Sequence, residues 1–176
     1  MDIYSNNLPD SDTTFLKTLV WHGIKLGLDN INTILQNVGS PQKKFFSVHV
    51  GGTNGKGSTS AYIDNIFRQQ GIRVGKFISP HLIDLAERFQ INGIPISAEE
   101  LHEELVFFKN LVERKSILPT FFEFCTAIAF HWFALQKVDW AIVEVGMGGR
   151  FDSTNVIIPE VCAITNISLE HTQYLG

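Results

Sequence analysis

The sequence predicts an α/β domain, a mostly parallel sheet flanked by helices, with a P-loop-type nucleotide-binding turn. Three observations carry the prediction. Short β-like runs alternate with helical stretches, as strand–helix crossovers require. One run, residues 45–50, passes directly into Gly51-Gly52-Thr53-Asn54-Gly55-Lys56-Gly57-Ser58, and a helix opens behind it. The length of 176 residues is that of one domain, and a domain this size buries a sizeable core without staples.

Residues 1–12 read as a loose polar leader, followed by a helical stretch over about 13–19. A second helix over 28–38 is closed by Gly39 and Pro41. After the strand at 45–50 and the glycine turn, a helix over about 58–70 stops at Gly71. Residues 74–78 form another strand, and 79–96, with a proline near each end, a long loop or a small hairpin. Ser97-Ala98-Glu99-Glu100 is a capping box, and the helix behind it puts Leu101, Leu105, Phe108 and Val112 on one stripe. Thr120-Phe121-Phe122-Glu123 is a second capping box, opening a helix to about residue 136 that is apolar nearly all round. Strands over 139–145 and 161–165 complete the pattern.

Composition narrows the function. Only 18% of residues are charged, against a usual ~25%, and phenylalanine supplies 14 residues. Much of the chain is therefore expected to be buried, in its own core or against another surface. A net charge of −4 provides no broad basic face for nucleic acid or an acidic membrane. Cys125 and Cys162 lie in apolar runs without metal-ligand spacing, which reads as buried free thiols in a reducing compartment. No apolar run approaches the ~18 residues of a membrane span, and no signal-peptide h-region is visible, so the cytoplasm is the expected location.

The glycine turn is where chemistry is expected. Its glycines let successive backbone N–H groups face inward as an anion nest, the helix N-terminus adds its dipole, and Lys56 adds a point charge. It departs from the strict G-x-x-x-x-G-K-[ST] pattern: the glycine spacing is one residue short, and Ser58 follows Lys56 by two positions. Glu144 lies in a strand that otherwise looks buried on both faces. It reads as a ligand for the nucleotide's magnesium or as a structural ion pair with Arg150. Gly146-Met147-Gly148-Gly149-Arg150 permits close backbone approach to a ligand, or is a tight turn with Asx caps. His171, just past the last strand, is a candidate for a metal or phosphate role, against a surface or core histidine. Ser79 alone favours a simple Ser-Pro turn over a magnesium ligand. His49, inside the strand before the turn, reads as packed and hydrogen-bonded.

Together these residues resemble one family. His49 to Ser58 is similar to the phosphate loop of folylpolyglutamate synthases and bifunctional dihydrofolate synthases, of the Mur ligase superfamily. The resemblance continues through Ser79-Pro80-His81-Leu82, Glu87-Arg88-Phe89 and Thr120 to Glu123. It runs on through Glu144 to Arg150 with Asp152, Thr154 and Asn155, and ends with His171-Thr172 and Leu175-Gly176. It spans about residues 20–176.

The resemblance implies an ATP-dependent ligase that joins L-glutamate to dihydropteroate, or to the glutamate tail of a folate such as tetrahydrofolate, through an acyl phosphate. It implies ATP phosphates cradled by Thr53, Asn54, Gly55, Lys56, Gly57 and Ser58, with Lys56 and His171 in catalysis. It assigns Mg2+ to Ser79, Glu144 and His171, against the Ser-Pro reading of Ser79. It places the pteroate pocket at Ile24, Lys25 and Leu26, at Thr120, Phe121, Phe122 and Glu123, and at Phe151, Asp152 and Ser153. Glu170 stands where the family usually has aspartate. The family also continues into a lysine, carbamylated in many members, and a C-terminal domain for adenine, ribose and glutamate. Residues 13–176 are thus expected to be a truncated ATP-binding domain, inactive as a ligase alone and monomeric in full-length form. The alternatives are a stand-alone P-loop NTPase or kinase, or a nucleotide-binding module without catalysis.

Overall fold

The computed structural model describes residues 8–21, 23, 25, 27–170 and 172–175. Its elements follow the alternation in the sequence. Helices α1 (Asp10–Trp21) and α2 (Asp29–Asn37) precede β1 (Phe46–Gly51), and α3 (Lys56–Gln69) leads to β2 (Val74–Phe77). The short strands β3 (Phe89–Ile91) and β4 (Ile94–Pro95) form a hairpin. Helices α4 (Ala98–Lys115) and α5 (Phe121–Leu135), strands β5 (Trp140–Glu144) and β6 (Val161–Ile164), and α6 (Thr172–Leu175) follow.

The strands form one six-stranded sheet in the order β4-β3-β2-β5-β1-β6. β2, β5, β1 and β6 run parallel, and the β3–β4 hairpin adds the antiparallel edge. The segment left open between loop and hairpin is thus a hairpin, preceded by a short 3-10 turn at Leu85–Arg88.

Strand alternation splits the core in two. Val48, Val50, Val74 and Ile142 point to α3, where Ile63 and Phe67 cover them. The opposite face meets α5, α4, α2 and α1, and this larger core includes Phe77, Phe89, Phe108, Phe124, Phe130 and Phe133. Both capping boxes are formed: Ser97 Oγ accepts from Glu100 N, and Thr120 Oγ1 accepts from Glu123 N. The stripe Leu101, Leu105, Phe108 and Val112 is buried throughout.

Two expectations are corrected. Residues 10–12 belong to α1 rather than to a loose leader; Asp12 is buried and bonds His102 Nδ1 at 2.6 Å, which pins α1 to α4. Residues 1–7 lie outside the described residues. Cys125 is buried, but Cys162 is exposed, because β6 is the sheet's edge.

Candidate functional site

The sheet order fixes where a ligand can sit. From β1 the chain crosses through α3 toward β2; from β5 it crosses to β6 on the other side of β1. The crevice between the carboxyl ends of β1 and β5 is therefore a topological switch point. Val50 pairs with Glu144 across this ladder, so the glycine loop and the carboxylate leave the sheet side by side.

The loop is shaped by its glycines. Gly52 has φ +127°, and a Cβ there would run into Thr165 Oγ1 and lie 2.9 Å from the Asn166 carbonyl oxygen. Thr53 N donates to Asn166 O at 2.9 Å, Asn54 N to Asn166 Oδ1 at 3.0 Å, and Ser168 N to Thr53 Oγ1 at 3.0 Å. The turn is thereby tied to the segment after β6. Gly55 caps α3 with φ +82°, and the bond from Thr59 N to Gly55 O at 2.9 Å closes the first turn. The amides of Lys56, Gly57 and Ser58 precede it, without an intrahelical carbonyl, and point their dipoles at one place. Lys56 Nζ donates to Gly52 O at 2.7 Å and Thr53 O at 3.0 Å.

Glu144 is 4% exposed. Ser79 N donates to its Oε2 at 3.4 Å, and the same oxygen lies 3.6 Å from where a Cβ of residue 57 would stand. Burial pushes its carboxyl above the usual range, opposed by the Ser79 amide and the charges of Lys56 and Arg88. The ion pair with Arg150 is not among the salt bridges of the described residues. A buried carboxylate with one long hydrogen bond, beside a serine hydroxyl and a phosphate-type loop, fits magnesium, which takes one or two protein oxygens and completes its shell with phosphates and water. No cluster of three or more His, Cys, Asp or Glu occurs among the described residues, and such a site does not require one.

A cavity of about 520 Å³ opens beside this point and joins the two halves of the expected site. Lys56 and Ser79 line it together with Lys25, Phe121, Phe122 and Phe151. Thr120, Glu123, Asp152 and Ser153 line it as well, but their polar atoms are largely engaged. Glu123 Oε2 accepts from Thr120 N at 2.7 Å, and Ser153 Oγ bonds Thr126 Oγ1 at 2.7 Å. Asp152 accepts from Met147 N at 2.8 Å and Thr154 N at 3.0 Å, while burial raises its pKa against those bonds. These four therefore shape the wall. Phe121 and Phe122 are both half-buried, Phe122 against Phe77, and Phe151 is 52% exposed. A Cβ at residue 146 would come within 2.5 Å of the Phe122 ring, which explains the glycine that follows Val145.

Arg88, which has no role in the sequence reading, stands at the site, and His49 is packed and hydrogen-bonded as expected. Arg88 lines the cavity although it is 7% exposed. His49 is buried, and its Nε2 lies 2.8 Å from Thr154 Oγ1, which also bonds Asp152 Oδ1. The family-like Glu87-Arg88-Phe89 was the signal for the first; nothing local announces the second contact. Ser58 is exposed near the start of α3. Ile24, Leu26 and His171 lie outside the described residues, as does His22.

No family model matches the chain. It is 44% identical over 159 residues to a dihydrofolate synthase/folylpolyglutamate synthase of Bacillus subtilis, covering 88% of this chain and 37% of that protein. It is 38% identical over 156 residues to a dihydrofolate synthetase of Saccharomyces cerevisiae, covering 87% and 36%. The E. coli FolC structure in complex with DHPP and ADP superposes with a TM-score of 0.87 at 33% identity, covering 94% of this chain and 40% of that one. The chain thus spans a little over a third of the length of the relatives it matches.

Proposed function

The chain belongs to the folylpolyglutamate synthase/dihydrofolate synthase family, and from that premise we propose that it is the part of an ATP-dependent carbon–nitrogen ligase that binds nucleotide phosphates and the acceptor. The acceptor in this reading is dihydropteroate or a folate such as tetrahydrofolate, and the amine is L-glutamate. The observation that carries the proposal is the single cavity shared by Lys56, Ser79 and the aromatic wall of Phe121, Phe122 and Phe151.

A carboxylate is a poor electrophile until one oxygen becomes part of a leaving group. Its oxygen forms a bond to the γ-phosphorus of ATP as the bond from that phosphorus to the β–γ bridging oxygen breaks, and ADP leaves. The glutamate amine then forms the C–N bond, phosphate departs with the C–O electron pair, and the nitrogen loses a proton. The chain's part is to hold the charge and orient the acceptor. The amides at the start of α3, of Lys56, Gly57 and Ser58, and the Lys56 ammonium hold the phosphates; Lys56 exchanges two neutral carbonyl acceptors for an anion. Ser79 and Glu144 would hold Mg2+, which offsets charge on the phosphates. His171 is proposed for a second magnesium and for catalysis on the resemblance alone. The aromatic wall orients the pterin or benzoate ring. We place the chain in the cytoplasm, where the free thiols of Cys125 and Cys162 stay reduced.

The test is calorimetric titration of the 176-residue chain with Mg-AMPPCP and with dihydropteroate, separately and together. Both should bind, and Lys56→Ala should lose nucleotide binding while unfolding at the same temperature. Unchanged nucleotide affinity in Lys56→Ala defeats the phosphate assignment. Glutamate-dependent phosphate release at ordinary enzyme rates from this chain alone would show that it is not merely part of the ligase.

A further inference from the structure

We infer that Arg88 is the clamp for the acceptor's reacting carboxylate. This rests on the ligase reading and deepens it. The reaction brings two anions together, the acceptor carboxylate and the γ-phosphate. Lys56 and the α3 amides are taken by the phosphates, so the approaching carboxylate calls for a second cation in the same cavity.

Lys25 and Arg88 both line the cavity; Lys25 is exposed, and Arg88 is the buried cation of the two. It ends the 3-10 turn before β3 and is 7% exposed, yet it lines the cavity with Lys56, Ser79 and Phe121. Its Nε donates to His81 Nδ1 at 2.8 Å, and the guanidinium carbon lies 5.3 Å from the Phe121 ring centroid. These contacts engage one edge of the guanidinium and hold it over the Phe121 ring.

The support behind Arg88 is built as well. Glu87, its neighbour, accepts from Leu82 N at 2.8 Å and from Ile83 N and Asp84 N at 2.9 Å, closing the loop that carries His81. Ile78 N donates to Arg88 O at 3.2 Å, tying the arginine's backbone to the end of β2, next to Ser79. A guanidinium held this way offers a carboxylate a preorganised fork. A lysine would offer a point charge without the fork.

The experiment compares dihydropteroate with its primary carboxamide, each titrated with Mg-AMPPCP present. The natural chain should prefer the carboxylate by about tenfold to a hundredfold, the usual range for a hydrogen bond to a charged group. In Arg88→Gln that preference should collapse to within about threefold of none, with carboxamide affinity and nucleotide affinity unchanged. Arg88→Lys, which keeps the charge, should show an intermediate preference and guards against misfolding of the glutamine variant. Equal weakening of both ligands would reveal a purely structural arginine and overturn the inference. So would a full preference retained in either variant, or a selective loss of nucleotide affinity. If the natural chain binds nucleotide but neither pteroate ligand, the ligase reading fails and takes the clamp with it.

Discussion

His49 ties the glycine loop's strand to the wall of the cavity, and its burial makes a pH experiment quantitative. The ring is 7% exposed in β1 with Nε2 against Thr154 Oγ1. The Thr154 hydroxyl donates to Asp152 Oδ1, so its oxygen accepts and the imidazole proton is assigned to Nε2. Desolvation lowers the His49 pKa from 6.5 to about 4. Within that window the unfolded chain binds the proton and the folded chain does not, so stability falls as pH falls through it and is flat above it. At about 1.4 kcal/mol per pH unit, with partial titration at the edges, the loss is about 2 kcal/mol between pH 7 and pH 5 and about 3 kcal/mol by pH 4. His49→Gln keeps a donor for Thr154 and removes the titration. Urea unfolding of both chains at pH 7, 6 and 5 is the assay. The natural chain should lose about 2 kcal/mol more than the variant over that range. Glu144 and Asp152, whose raised pKa values act in the opposite direction, are present in both chains and cancel in the difference. Parallel stability curves would refute the argument that the buried ring resists its proton.

Glu144→Gln should show a trade between stability and binding. Because burial makes the folded carboxyl hold its proton more tightly than the unfolded one, stability falls as pH rises from the ordinary 4.5 through the folded value. The variant should therefore melt higher than the natural chain at pH 7 without nucleotide, with the gain fading toward pH 4.5, and bind Mg-AMPPCP more weakly. Scanning calorimetry and titration read the two halves, and a lower melting point at pH 7 contradicts the burial argument. Thr120→Ala removes the cap of α5 and should cost about 1 kcal/mol in urea unfolding; an unchanged midpoint would mean that packing alone holds that turn.

What could be read from the sequence was local. The glycine loop and both capping boxes are set by residues within a few positions of each other, and the structure forms them there. The β3–β4 hairpin has no clear signature in the sequence because strands of three and two residues are too short to show a period. Cys162 shows where local reading misleads. An apolar run looks buried, but β6 pairs on one side only, and Val161 and Ile164 are exposed with it. The polar start of α1 misled in the other direction, since its buried Asp12 is satisfied by His102 at a separation of 90 residues. The Thr154 contact of His49 spans 105 residues, and no local pattern encodes it.

The phosphate loop and the aromatic wall are held by different devices, and this bears on what can move. Glu144 and the glycine loop are fixed by the β1–β5 ladder, in which Val50 sits opposite Glu144. Ser79 follows β2, itself paired to β5. The phosphate loop is thus registered by parallel backbone bonds that cannot shift by one residue without reversing every side chain. The aromatic wall rests on the first turn of α5, where the Thr120–Glu123 box sets the entry angle and Phe77 and Arg88 back the two rings. Side-chain contacts yield more readily than a ladder. In the proposed ligase, adjustment to the acceptor is therefore expected at Phe122, while the backbone register of Val50 and Glu144 stays fixed.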